Sequence, residues 1–202
     1  MFILLSAAGV TIYILMHPFL VQATVAHLPS SATPEEREIV ATTLRSELML
    51  RCAFLPIRLL VGWSSFAVLM YALCRAFTPP KPIRFNRIFS LEVHAEATNL
   101  LAQLATLSYL ILRSEGAPNA TSLVPFSIAM IVRPDTFTMF SLLNSLNFFT
   151  LLYIAFLTMG ISIQSGFSRG KSLLIVFVTW SVSVLFNVGV LKLMQDVMHL
   201  IV

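Results

Sequence analysis

Charge is the scarcest thing in this sequence. Of 202 residues, 13 are Lys or Arg and 9 are Asp or Glu, 11% in all, where ordinary soluble domains carry about 25%. That shortage excludes the solvated charged surface of a soluble domain. Catalytic motifs are also missing. There is no GxSxG elbow, no P-loop, and no His in frame with a nucleophile, so the chain reads as non-enzymatic. Cysteines are few. Cys52 and Cys74 sit near opposite ends of one apolar run, and about 22 helical residues at 1.5 Å each would separate them by ~33 Å, too far to bridge. No CxxC or Cys/His spacing marks a zinc site, and both read as small apolar fillers. The net charge is +4 and the isoelectric point about 9.4, but no basic stripe alternates with exposed aromatics. Nucleic acid is therefore not an expected partner.

Apolar residues fill the space that charge leaves. They make up 57% of the chain and the mean hydropathy is +0.88, more apolar surface than a soluble chain of this length can bury. The expected class is an all-α membrane protein: five transmembrane helices with an extra amphipathic helix between spans one and two, forming a single integral membrane domain over 1–202. The spans fall at about 1–26, 52–77, 90–112, 137–163 and 172–194. The first has a signal-like "VQA" but no basic leader and a long apolar stretch, so it reads as a span, with Pro18 as a kink. In the polar stretch Leu28–Arg51, Thr33, Pro34 and Glu36 form a helix start of the capping-box kind. Val40, Leu44 and Leu48 then recur every four residues, which gives that helix one apolar face. Arg58 lies two turns inside span two and can snorkel to the interface. "LVPFSIAMIV", Leu123–Val132, is too short to cross and is bounded by Pro134, which suits an interfacial or partly re-entrant helix. Gln164–Lys171 reads as a tight turn whose GxxxG spacing, Gly166 to Gly170, falls outside a helix, and the sequon Asn119-Ala120-Thr121 reads as incidental.

Orientation follows from the cations. The second and fourth loops carry Arg75, Lys81, Arg84, Arg87, Arg169 and Lys171 without an acidic residue, whereas Arg37, Arg45, Arg51, Arg113 and Arg133 are mixed with carboxylates. The rule that cytoplasmic loops are basic then puts the N-terminus and both basic loops in the cytoplasm.

Span three carries the most polar pattern. Glu92, Glu96, Asn99 and Gln103 step by four, three and four, which keeps them on one helix face. A charged acid facing lipid costs about 2.5–3.5 kcal/mol at mid-membrane on insertion scales, so this face should meet other helices. Asn144 and Asn147 on span four and Asn187 on span five are the expected partners, with Arg84 or Arg87 pairing Glu92 and Glu96. The pattern suits a hydrogen-bonded packing seam, or a proton or ion path. A metal site of Glu92, His94 and Glu96 fails, because His94 is about 200° around the helix from either acid. No cofactor is expected. His17 and His199 are the only candidates for a haem or pigment ligand, and these and His27 read as isolated and interfacial.

One long segment, Met139–Val190, resembles the last two helices of the bacterial branch of the Yip family of Rab-GTPase-interacting membrane proteins. The resemblance is carried by Leu143, Ser145, Leu146, Phe149, Gly160, Ser168, Gly170, Lys171 and Trp180, and by "TPEEREIV", Thr33–Val40, which is similar to the helix after that family's first span. The family's Asp in span four is Asn147 here, its Trp is Tyr153, and its cytoplasmic N-terminal segment is missing. Relatives act in vesicle trafficking, or resemble accessory subunits of ABC-type efflux transporters. The resemblance implies a non-catalytic accessory or scaffolding subunit of a larger, transport-related complex in the bacterial inner membrane. Its partners would be the lipid bilayer and other integral membrane subunits. The competing expectations are a small transporter or ion pathway through Glu92 and Glu96, and a subunit of an energy-transducing complex.

Overall fold

The structure, a computed structural model, describes residues 1–26, 33–112, 124–132 and 136–201. The sequon, His27, Arg113, Arg133, Pro134 and Asp135 lie outside the described residues, and so does the side chain of His199.

The described residues fold as helices: α1 (Phe2–Ala26), α2 (Pro34–Ala76), α3 (Phe85–Leu112), α4 (Ala129–Val132), α5 (Phe137–Ser145), α6 (Phe148–Ser165) and α7 (Arg169–Ile201). Four of them hold stretches long and apolar enough to cross a membrane: Ile3–Gln22, Pro34–Ala76, Phe148–Ser165 and Arg169–Val190. α3 is long enough, but Glu96, Asn99 and Gln103 dilute the hydropathy of its apolar half.

Three expected boundaries change. The amphipathic helix between spans one and two is not a separate element; it is the opening of α2, which runs for 43 residues. Its start is as expected. The Thr33 N–H donates to Glu36 Oε2 at 2.7 Å, and the Glu36 N–H donates to Thr33 Oγ1 at 3.2 Å, the reciprocal bonds of a capping box. No helix breaker separates this opening from the apolar part, because Pro56 sits inside α2 and interrupts only the bond to Cys52. α1 likewise continues through Pro18.

The second change is a break in span four. The apolar run 137–163 divides into α5 and α6 at Leu146 and Asn147. Asn147 is extended (φ −134°, ψ 168°) and its side chain accepts the N–H of Thr150 at 2.9 Å, so it is an N-cap that starts a new helix. The third change concerns Leu123–Val132. Its described part, from Val124, is a turn leading into the single turn of α4. The turn pairs with the break: Ser127 and Asn147 form an isolated antiparallel bridge, and the Ile128 N–H donates to Leu146 O at 3.0 Å.

The chain forms two compact units, one of Met1–Val61 with Leu100–Pro125, the other of Gly62–Asn99 with Phe126–Val202. In the first, Leu5, Ile12 and Val21 of α1 and Leu107 and Leu110 of α3 are buried. A Cβ on Gly9 would sit in ordinary contact, 3.8–4.0 Å, with Leu55, Leu59 and Leu100. The second unit holds the larger core. Phe66, Ala67, Met70 and Cys74 follow helical spacing along α2, and pack with Ile88 and Ala95, with Ile154, Leu157 and Ile161, and with Ile175 and Val176. Opposite faces stay bare: Leu151, Met159 and Ile163 on α6 and Leu173, Phe177 and Phe186 on α7 are exposed. An apolar face of that kind belongs against lipid or another protein.

Candidate functional site

The polar centre of the second unit begins with α3. Its first turns place Ile88, Val93 and Ala95 inward, which sets the helix against α6. Gly160 makes the approach possible, since a Cβ there would overlap the Leu91 side chain. With the helices this close, Glu92 reaches Tyr153 of α6. The Tyr153 hydroxyl donates to Glu92 Oε1 at 2.6 Å, and the edge of Phe66 (centroids 5.9 Å apart) packs on the tyrosine ring. Glu92 is only 3% exposed. Its second oxygen, Oε2, is buried and has no hydrogen-bond partner among the described residues.

One turn on, Glu96 accepts from the Asn99 amide at 3.0 Å and from the Trp63 side chain on α2. Glu92, Glu96 and Asn99 therefore do share one inward face, as their spacing predicts. Gln103, the fourth member, is half-buried further along α3. His94 points the other way. It is exposed, and its Nδ1 lies 2.6 Å from Ser90 O, so that nitrogen carries the proton. Among the described residues no cluster of His, Cys, Asp or Glu has metal-site geometry.

The expected partners of this seam are elsewhere. Asn147 is turned to its own backbone neighbourhood: besides capping α6, its amide donates to Asn144 O at 3.0 Å. Asn187 is exposed and donates to Ser183 O of its own helix at 2.7 Å. Asn144 is half-buried. Neither Arg84 nor Arg87 pairs with Glu92 or Glu96 among the described residues; both arginines are exposed near the start of α3, while the acids face the core. Tyr153 is the partner that the spacing missed. A tyrosine in an apolar run looks like a packing residue, and only the register of α6 against α3 reveals its hydroxyl as the donor.

The two basic loops meet. The Lys81 N–H donates to Ser165 O at 2.9 Å, closing the Thr78–Arg84 loop onto the end of α6. Gly166, with φ +74°, ends α6 in the left-handed conformation that a Cβ disfavours, and Pro80 and Lys81 lie 3.4 Å from where that Cβ would be. The Lys171 ammonium donates to Phe77 O at 2.9 Å and lies 4.5 Å from the Phe167 ring centroid. Lys171 is thus a clamp, while Lys81, Arg84, Arg87 and Arg169 remain exposed around it.

In the first unit His17 is buried, 7% exposed, with Nε2 at 3.1 Å from Leu44 O of α2. It is therefore not isolated, as its sequence position suggests, but held against the α2 backbone.

No family model, curated protein or solved structure matches this chain. The likeness to the Yip family rests on the residues named above alone.

Proposed function

We propose that the chain is a five-span protein of the bacterial inner membrane, with its N-terminus in the cytoplasm. In this reading it serves as a non-catalytic accessory or scaffolding subunit of a larger complex, and transport is the business that the Yip likeness suggests. α3 is the fifth span. Its crossing is supported by parity. The loop after α2 and the turn after α6 are held together by the Lys81–Ser165 and Lys171–Phe77 bonds, so the chain must leave and return to one side between them. If α6 crosses, α3 must cross too.

The observation that carries the scaffolding reading is where the polar groups are used. Glu92 is held by Tyr153, Glu96 by Asn99 and Trp63, and Asn147 by the start of its own helix. These bonds tie helices to each other and to their own ends. What faces outward is broad apolar surface and one basic end, which suits lipid and neighbouring helices. The test is purification from native membranes in mild detergent, with mass spectrometry of whatever remains bound. A stoichiometric membrane partner is the expected result. A homogeneous monomer or homo-oligomer would overturn the subunit reading.

One observation favours the second reading, a proton or ion pathway. Glu92 Oε2 is a buried acceptor without a partner among the described residues, and Glu96 follows one turn later. On that reading Glu92→Gln and Glu96→Gln abolish proton flux in proteoliposomes while the helical content is kept.

A further inference from the structure

Besides the Glu92 centre, unit two holds an open cleft of about 460 Å³ on its basic side, lined by Asn86, Arg87, Ser90, Leu91 and His94 of α3 and by Phe156 and Gln164 of α6. Its volume falls within the roughly 300–1,000 Å³ of ordinary ligand sites. The lining is ordered along the helices. Asn86 and Arg87 open α3 and Gln164 closes α6, so these three mark the end where the basic loops meet. Leu91 and Phe156 lie one to two turns deeper, and Ser90 and His94 stand beside them on the α3 side. Helical spacing explains the row, since 86, 90 and 94 recur every four residues. The cleft therefore has a cationic, hydrogen-bonding mouth and a more apolar inner wall.

No carboxylate is among its described lining residues. The nearest acids, Glu92 and Glu96, are turned inward to Tyr153, Asn99 and Trp63. The Arg87 guanidinium is exposed and has no carboxylate partner among the described residues. His94 donates through Nδ1 to Ser90 O, which leaves Nε2 as an acceptor for a ligand hydroxyl. Exposed Lys81 and Arg84 add positive potential at the mouth. An arginine fork with amide and hydroxyl groups beside it suits the oxygens of a phosphate. A wall of Leu91 and Phe156 below suits an esterified glycerol and the top of an acyl chain.

We propose that this cleft binds the phosphodiester headgroup of an anionic phospholipid, with Arg87 holding the phosphate and Phe156 and Leu91 lying along the lipid's apolar part. The proposal rests on the membrane insertion of α3 and α6 argued above, which puts the cleft mouth at headgroup level. It adds a defined lipid to the accessory role.

The test uses the full chain in mild detergent and native mass spectrometry, with phosphatidylglycerol, phosphatidylcholine or inorganic phosphate added in turn. The expected result is retained phosphatidylglycerol, lowered at least about fivefold in occupancy by Arg87→Gln and less than about twofold by Arg169→Gln, a cation at the same end but outside the cleft. Equal losses in the two variants would overturn the site in favour of a diffuse basic surface, and equal retention of phosphatidylcholine would overturn the anionic preference. Inorganic phosphate bound as firmly, with the same Arg87 dependence, would overturn the lipid in favour of the free ion. Should Arg87→Gln fail to fold, Ser90→Glu sets a repelling charge in the cleft from an exposed position, and undiminished lipid retention there would overturn the proposal. Flotation with phosphatidylglycerol vesicles separates the two levels: a chain that does not insert overturns the membrane reading, whereas one that inserts without lipid preference overturns only the cleft.

Discussion

Gly160→Ala adds one methyl group where α6 meets α3. The added carbon would overlap the Leu91 side chain, with the Leu91 branch carbon Cγ at 3.0 Å and both terminal methyls nearer still. Because the branch carbon itself is close, turning the methyl groups aside does not clear the space, and the leucine or the helix must shift. Overpacking of this kind costs about 1–3 kcal/mol. Alanine returns about 0.5–1 kcal/mol through its better helix propensity. The net expectation is a loss of about 1–2 kcal/mol. Leu91→Ala alone removes packing at a half-buried position and should also destabilise. The double variant should be more stable than the sum of the two losses by at least about 1 kcal/mol, since the methyl then has room. Denaturant unfolding in mild detergent, followed by fluorescence of Trp63 and Trp180, measures all four corners of the cycle. A neutral or stabilising Gly160→Ala, or additive single losses, would refute the close approach on which the Glu92–Tyr153 bond depends.

Three further outcomes follow from the same geometry. Tyr153→Phe removes the hydroxyl that donates to Glu92 Oε1 and should cost about 1–3 kcal/mol, whereas Glu92→Gln keeps an acceptor for Tyr153 and should stay near wild type in the same unfolding assay. Asn147→Ala loses the α6 cap and should cost about 0.5–2 kcal/mol; Asn147→Asp keeps the cap but loses the amide bond to Asn144 O, so its stability should fall between alanine and wild type. Lys171→Met releases the Phe77 carbonyl and the ring contact at Phe167, for about 1 kcal/mol at this exposed site, and limited proteolysis should then cut faster in the Thr78–Arg84 loop.

Local rules carried much of this fold into the sequence. The capping box at Thr33 and Glu36, the turn at Gly166 and the shared face of Glu92, Glu96 and Asn99 each depend on residues a few positions apart, and each stands where its spacing puts it. The break at Asn147 was hidden because the run from Phe137 to Ile163 is apolar throughout, and hydropathy sees no difference between a span and a short helix followed by a span. A cap signal is present, in an asparagine three residues before Thr150, but an asparagine in an apolar run looks equally like a polar seam residue. In α2 the composition changes near Cys52 while the backbone does not, so the amphipathic opening and the apolar span form one helix of 43 residues. Long-range pairs were not legible at all. Tyr153 with Glu92 and Lys171 with Phe77 join residues 61 and 94 positions apart, and no periodicity encodes them.

The fate of the polar residues narrows the functional choice to one side chain. Of the seam expected from spacing, Asn147 and Asn187 serve their own backbone neighbourhoods, and Glu96 has donors from two helices. Among the described seam residues, Glu92 keeps a buried oxygen, Oε2, without a hydrogen-bond partner. A continuous ion path needs further acceptors within reach of that oxygen, whereas Tyr153 and the Phe66 ring packed on it belong to an apolar core with Met70, Ile154 and Leu157. One satisfied bond inside such a core fixes the register of α3 against α6, because a slip by one residue would carry Glu92 off Tyr153 and leave a polar group unpaired in an apolar surrounding. Registry of that kind is what a packing subunit requires. A conducting one would need Glu92 to exchange its partner, so undiminished flux in Glu92→Gln proteoliposomes would leave the carboxyl its structural role alone.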